Sequence, residues 1–204
     1  MPQTAKTALL IIDVQNDFCA GGALAVPDGD AVVSVINDMA ARASEAGMPI
    51  YATRDWHPRV TRHFKTYGGP WPEHCVAGTP GAQFHPDLRL PEGTVVVTTG
   101  DVSDSDGYSA FDGRLPDGRS LAQALNDQGI QTLIVGGLAT DYCVKHSVLD
   151  ARAHGIGVVV VEAAIRGVEV VPGDSDRAID AMKAAGAVFV DSAQGVAQAA
   201  GGTR

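Results

Sequence analysis

Apolar residues along the chain follow two alternating rhythms. Ala8-Leu9-Leu10-Ile11-Ile12 and Val158-Val159-Val160-Val161 are short and apolar on both alternating faces, as strands covered by helices on two sides must be. Between such runs the apolar positions return at helical spacing. The pattern predicts strands at Thr7 to Asp13, Pro49 to Arg54, Thr94 to Thr99, Gln131 to Gly136, Gly157 to Glu162 and Ala187 to Asp191. It predicts helices at Asp30 to Gly47, Ser120 to Gly129, Thr140 to His154 and Asp174 to Gly186. Gly47, Gly129, Gly155 and Gly186 each follow a helical run, where a left-handed cap is expected. Strand and helix alternate throughout, so the expected fold is α/β: a single doubly wound domain over residues 1–204, with a mainly parallel six-stranded sheet and helices on both faces.

Two stretches break the rhythm. Residues 55–90 form a connection rich in His, Pro, Gly and Trp, too long for an ordinary strand-to-helix loop and therefore read as functional. Gly100 to Arg119 is rich in Asp, Ser and Gly. The tail, 192–204, is an Ala/Gly/Gln segment expected to fray. Ligands of such sheets gather outside the carboxyl ends of the strands, which directs the search for chemistry to the ends of these runs.

Composition narrows the partners. The chain has 204 residues, 45% of them hydrophobic, and a formal charge of −9, a field that repels phosphate backbones and anionic lipid. Nucleic acid and membrane are therefore excluded as expected partners, leaving a small molecule; monomer and homo-oligomer stay open. The start, Met-Pro-Gln-Thr-Ala-Lys, lacks the pattern of a signal peptide. Three cysteines, Cys19, Cys75 and Cys143, suit free thiols in a reducing compartment. The expected location is the cytoplasm.

Asp13 ends the first strand, where partial desolvation would fit a carboxylate for accepting protons. Taken alone it reads first as a strand-end turn former. Cys143 follows Gly136-Gly137-Leu138-Ala139-Thr140-Asp141-Tyr142, a strand, a Gly-rich turn and a helix start, where the helix dipole stabilises a thiolate. Taken alone, an inert core cysteine is equally consistent. Asp55, His57, His63 and His74 place one carboxylate and three imidazoles inside the long connection, a donor set for one divalent transition ion, zinc first, with iron or manganese also accommodated. Phe18, Trp71 and Tyr108 could line a slot for a flat ring or simply pack. A Cys143/His146 dyad is disfavoured by the fixed directions of side chains three apart on a helix.

Together these segments resemble the nicotinamidase/pyrazinamidase family of the isochorismatase-like cysteine hydrolases. The resemblance is carried by Asp13-Val14-Gln15-Asn16-Asp17-Phe18, Asp55-Trp56-His57, Trp71-Pro72-Glu73-His74-Cys75, Gly78-Thr79-Pro80-Gly81, Asp106-Gly107-Tyr108-Ser109-Ala110-Phe111 and Gly137-Leu138-Ala139-Thr140-Asp141-Tyr142-Cys143-Val144, in order, from about Thr7 to Asp191. It implies hydrolysis of nicotinamide to nicotinate and ammonia through a cysteine thioester, acceptance of pyrazinamide, and a place in NAD salvage. It also implies that Asp13 relays protons, that Ala139 and Cys143 supply oxyanion-hole amides beside a cis peptide between Leu138 and Ala139, that Phe18, Trp71, Tyr108 and Leu138 bind substrate, and that Gln15 sits near the water of the metal.

One position departs from the family. Its third catalytic residue is a lysine that ends the third strand before a glycine, and Val97-Thr98-Thr99-Gly100 puts Thr99 there. Loss of that ammonium should raise the Cys143 pKa and slow acylation. Three explanations follow: a homologue whose metal site and helix dipole suffice, with Lys65 or Lys145 swinging in; a natural or engineered variant that binds nicotinamide but turns it over slowly; or a related hydrolase with another small substrate.

Overall fold

The structure is a computed structural model, describing residues 6–192. Six strands form one sheet: β1 (Lys6–Ile12), β2 (Ile50–Asp55), β3 (Val95–Thr99), β4 (Ile130–Leu138), β5 (Gly157–Arg166) and β6 (Val188–Val190). Their order is β3-β2-β1-β4-β5-β6, and each neighbouring pair is parallel. The four helices are α1 (Ala31–Glu45), α2 (Leu121–Gln128), α3 (Lys145–Ala153) and α4 (Asp174–Ala184). The expected α/β sheet with helices on both faces is what forms.

The central strand explains the two apolar faces. Ala8, Leu10 and Ile12 join a core with α2, α3 and α4, whereas Leu9 and Ile11 join another with α1. Each of these larger aliphatic side chains leaves water completely or nearly so, which contributes about 1.5–3 kcal/mol apiece. Ser120 starts α2 with a reciprocal capping box to Gln123, and Gly129 ends it at φ 67°, so sequence and geometry agree on that helix. No described helix is long and apolar enough to cross a membrane. The frayed-tail expectation falls on residues 193–204, outside those described.

Three element ends differ by more than a residue from the sequence reading, glycine caps aside. β5 runs on to Arg166, four residues past the expected Glu162. β4 runs through Gly136 and Gly137 to Leu138; the pair is not a turn. A Cβ at Gly137 would lie 2.0 Å from Ile12 O, so glycine there lets two parallel backbones approach. The helix expected from Thr140 begins as a π-helical turn over Thr140–Val144 before α3, a widening of the kind found at functional sites.

The long connection after β2 is ordered by bridges between His57 and Val76, Phe64 and Trp71, and Gln15 and Phe84. Because β1, β2 and β4 lie side by side, their carboxyl ends bring Asp13, Asp55 and the 139–143 turn to one edge, with this connection folded over it.

Candidate active site and metal cluster

Asp13 leaves β1 at φ 47°, a left-handed conformation that costs energy for a non-glycine residue. Thr53 on β2 secures it twice: the hydroxyl donates to Asp13 Oδ1 at 2.5 Å and accepts from Asp13 N at 3.1 Å. Burial, reinforced by the negative charge of Asp55, pushes the Asp13 carboxyl up to about 7, while Thr53 and Cys143 hydrogen bonds pull the other way. A carboxyl so placed can both take and return a proton near neutral pH.

Cys143 is buried, and it and Asp13 shift one another's titration. Burial pushes its thiol well above the ordinary value, and the charges of Asp13 and Asp55 add to this; only the Ala139 backbone amide, donating toward sulfur, opposes them. The helix-dipole argument from sequence is thus outweighed, because a dry site next to two carboxylates penalises a thiolate more than one helix start stabilises it. The peptide Leu138–Ala139 is cis. Leu138 is fully buried and does not line the cleft, whereas Ala139 does.

Thr99 ends β3 opposite Asp55 and is buried, but its hydroxyl donates to Arg54 O at 3.2 Å. Neither lysine weighed as a substitute is drawn toward the pair: the Lys145 ammonium lies over the Tyr142 ring, 5.7 Å from its centroid, and Lys65 belongs to a surface turn at Lys65–Tyr67.

On the other side of the cleft, three histidines meet. Nδ1 of His57 donates to Gly100 O at 3.0 Å, Nδ1 of His74 to Pro72 O at 2.8 Å, and Nδ1 of His63 faces Asp106 Oδ1 at 3.4 Å. With every Nδ1 engaged, the Nε2 atoms are left to converge, and one ligand atom from each histidine lies within 4.8 Å of the others. Asp55 Oδ2 is 2.9 Å from His57 Nε2 and 3.4 Å from His74 Nε2. His57 Nε2 and Asp55 Oδ1 are buried without a hydrogen-bond partner, an expensive arrangement in an ion-free protein. Burial and the neighbouring His57 and His74 push His63 down to about 4, keeping the imidazole in its coordinating form. The donor set therefore fits a divalent ion.

Gln15 braces this cluster from behind: Nε2 donates to Asp55 O at 2.8 Å and to Ala82 O at 2.9 Å, and Oε1 accepts from Asp55 N at 2.8 Å. It holds the backbone of a ligand residue. Cys19, Asp30 and His85 form a second potential metal group, but both His85 nitrogens are engaged, Nε2 with Asp30 Oδ1 at 3.2 Å and Nδ1 with Asp87 N at 3.2 Å. That trio ties loops together.

A narrow cleft joins the halves, with Phe18, Trp71, Tyr108, His63, Ala139 and Cys143 among its walls. Trp71 Nε1 donates to Tyr108 OH at 2.8 Å, and Trp71 meets Tyr142 edge-on at 4.8 Å between centroids. His146 stacks on Tyr108, 5.3 Å away, instead of facing the thiol. Sequence reasoning missed Thr53, Tyr142 and Val168. Thr53 was findable, since residues two apart on a strand share a face and Asp55 had been noticed; Val168, in a loop far along the chain, gave no signal.

The isochorismatase-domain sequence profile matches residues 7–194. The nicotinamidase of Escherichia coli is 43% identical over 198 residues, covering 89% of this chain and 93% of its own length. The chain belongs to the nicotinamidase/pyrazinamidase family of isochorismatase-like hydrolases. The nicotinamidase/pyrazinamidase of Mycobacterium tuberculosis is 40% identical, over 76% of this chain and 83% of its own. Among solved structures, the pyrazinamidase of Pyrococcus horikoshii in complex with zinc superposes with a TM-score of 0.83 at 40% identity, covering 91% of this chain and 98% of that one. The cleft lies at the carboxyl edge of β1, β2 and β4.

Proposed function

We propose that the chain is a nicotinamidase that converts nicotinamide to nicotinate and ammonia through a cysteine thioester and also accepts pyrazinamide. The observation that carries this reading is the pair of buried acids, Asp13 and Cys143, brought together at the foot of a cleft that also holds three converging histidines. The relatives named for these activities support the substrate class.

Cys143 gives its proton to Asp13 as sulfur attacks the amide carbonyl, so no free thiolate has to persist in the dry site. The developing oxyanion is received by the amides of Ala139 and Cys143. Asp13 passes the proton to nitrogen, the C–N bond breaks, and ammonia leaves a thioester on Cys143. Water, relieved of a proton by Asp13, attacks that thioester; the C–S bond breaks, nicotinate departs, and the proton returns to sulfur. Phe18, Trp71 and Tyr108 hold the ring flat, and Leu138 acts by placing Ala139. Asp55, His57, His63 and His74 would hold a divalent ion, zinc in this reading, which would supply Lewis acidity beside the ring and offset the Asp55 charge.

The test is ammonia release from nicotinamide by purified protein, abolished in Cys143→Ala. Failure to release ammonia from any small aromatic amide overturns the reading. A second reading is favoured by Thr99, whose hydroxyl serves Arg54 O while among the described residues no lysine hydrogen-bonds to Asp13 or Cys143: the protein binds nicotinamide and turns it over slowly. Calorimetric binding without turnover would select it. The metal cluster weighs against a third reading, a different small substrate. The charge of −9 and the free cysteines support a cytoplasmic enzyme of small molecules.

A further inference from the structure

Asp141 is buried two residues before Cys143, and among the described residues its carboxylate makes no ion pair. Instead Oδ1 accepts from Val168 N and Oδ2 from Glu169 N, both at 2.9 Å. Bonds from successive amides to one carboxylate are of the strong, charge-assisted kind. The segment they grip is constrained on every side. At Gly167 a Cβ would lie 1.9 Å from Ser175 Oγ and 3.2 Å from Asp141 Oδ1, so the backbone passes where no side chain fits. Glu169 sits at φ 56°, a conformation that persists only when its surroundings over-determine it. Its carboxylate accepts from Gly173 N at 2.8 Å and from Ser175 N at 2.7 Å, fastening the far end of the segment to the start of α4.

Val168 lies between these fastenings. It lines the cleft together with Ala139 and Cys143 and packs against the apolar cluster that holds Leu138 and Ala139. The turn that carries the nucleophile and the wall formed by Val168 are therefore joined by a single carboxylate. We infer that Asp141 is a positioning residue: by clamping the amides of Val168 and Glu169 it fixes Val168 as a rigid wall, and that wall determines which substituted heteroaromatic carboxamides and carboxylates the cleft admits. The inference rests on the cleft being the ring-binding site of the proposed amidase.

Binding of nicotinate and of its four ring-methylated isomers, measured by calorimetry on the metal-loaded protein, tests it alongside turnover of the matching amides. Wild type is expected to reject at least one isomer by tenfold or more, since one methyl against a hydrophobic wall discriminates about 10–200-fold. Val168→Ala should bring that isomer within about threefold of nicotinate. Asp141→Asn, which turns an amide NH2 toward one of the two N–H groups, should relax the same selectivity and raise KM more than it lowers kcat. If Asp141→Asn does not fold, Glu169→Ala frees the other end of the segment and should also relax selectivity. Unchanged isomer selectivity in the folded variants overturns the inference, as does an Asp141→Asn protein that loses kcat alone. Ring selectivity without turnover in wild type would sink the amidase reading and leave this one standing; finding neither binding of any ring acid nor turnover of any ring amide would sink both.

Discussion

The two halves of the cleft are built on opposite principles. In the histidine half, each candidate ligand is held from outside, the histidines through Nδ1 and Asp55 through Gln15, so the inward-facing atoms are arranged before anything binds. In the nucleophile half, two acidic groups sit together in a dry pocket, and the Thr53 hydroxyl serves Asp13. The first half stores order at the expense of unpaired polar atoms. The second holds a protonated thiol beside a carboxyl raised to about 7 and lets a proton move only with the reaction. Preorganisation and proton sharing are thus separate solutions, and they should fail separately.

The sharpest break should come from Asp13→Asn, which leaves the histidine cluster intact but removes the proton acceptor. Turnover is expected to fall about 10²–10⁴-fold, the usual range for a positioned acid-base group, with metal content by emission spectrometry unchanged. Loss of metal along with activity would show that the halves are not independent.

His57→Ala attacks the other side. Bound metal should fall to well under one ion per chain, and KM for nicotinamide should rise more than tenfold, an expectation based on the several kcal/mol a Lewis acid contributes. Alkylation of Cys143 by iodoacetamide should proceed in this variant at a rate within about threefold of wild type; a larger change would tie nucleophile reactivity to the cluster.

Thr53→Val should separate order from charge in the nucleophile half. It removes a donor to Asp13 Oδ1 and an acceptor for Asp13 N, which should cost about 1–3 kcal/mol of stability in a denaturant titration. Turnover should fall about tenfold. A neutral effect would mean that the left-handed Asp13 backbone is held by other groups.

Thr99→Lys carries the smallest expected change and the opposite sign. An ammonium near Asp13 and Cys143 lowers the pKa of both acids, since it favours their charged forms. The rising limb of the pH-rate profile should move to lower pH and kcat/KM should increase a few-fold, an effect of about 1 kcal/mol. A decrease would mean that the pair without a lysine is tuned for this chain as it stands.

The fold was legible because its signal is local. Apolar runs such as Leu9 to Ile12 can only be buried on both faces, and Ser120, Gln123 and Gly129 mark the two ends of α2 in three positions. Boundaries slipped where neighbours in space decided them: Gly136 and Gly137 look like a turn in isolation, and only the close approach of Ile12 makes them strand. Within the cleft, Asp13, Cys143 and the four metal donors were visible as residue types at the ends of predicted strands or in one anomalous loop. Val168 was not, because its role depends on a carboxylate 27 residues earlier that happens to face its amide.

Sequence by itself thus determined the layering of the sheet, the donor set for a metal, the presence of an acid and a thiol at the sheet edge, and the absence of a lysine at position 99. Tertiary structure alone decided the state of those groups. A pKa sums desolvation and every nearby charge, and neither is a property of a residue's own neighbours in the chain. That is why the helix start before Cys143 promised a thiolate, while the packed protein, with Asp13 and Asp55 brought in by β1 and β2, holds the thiol protonated.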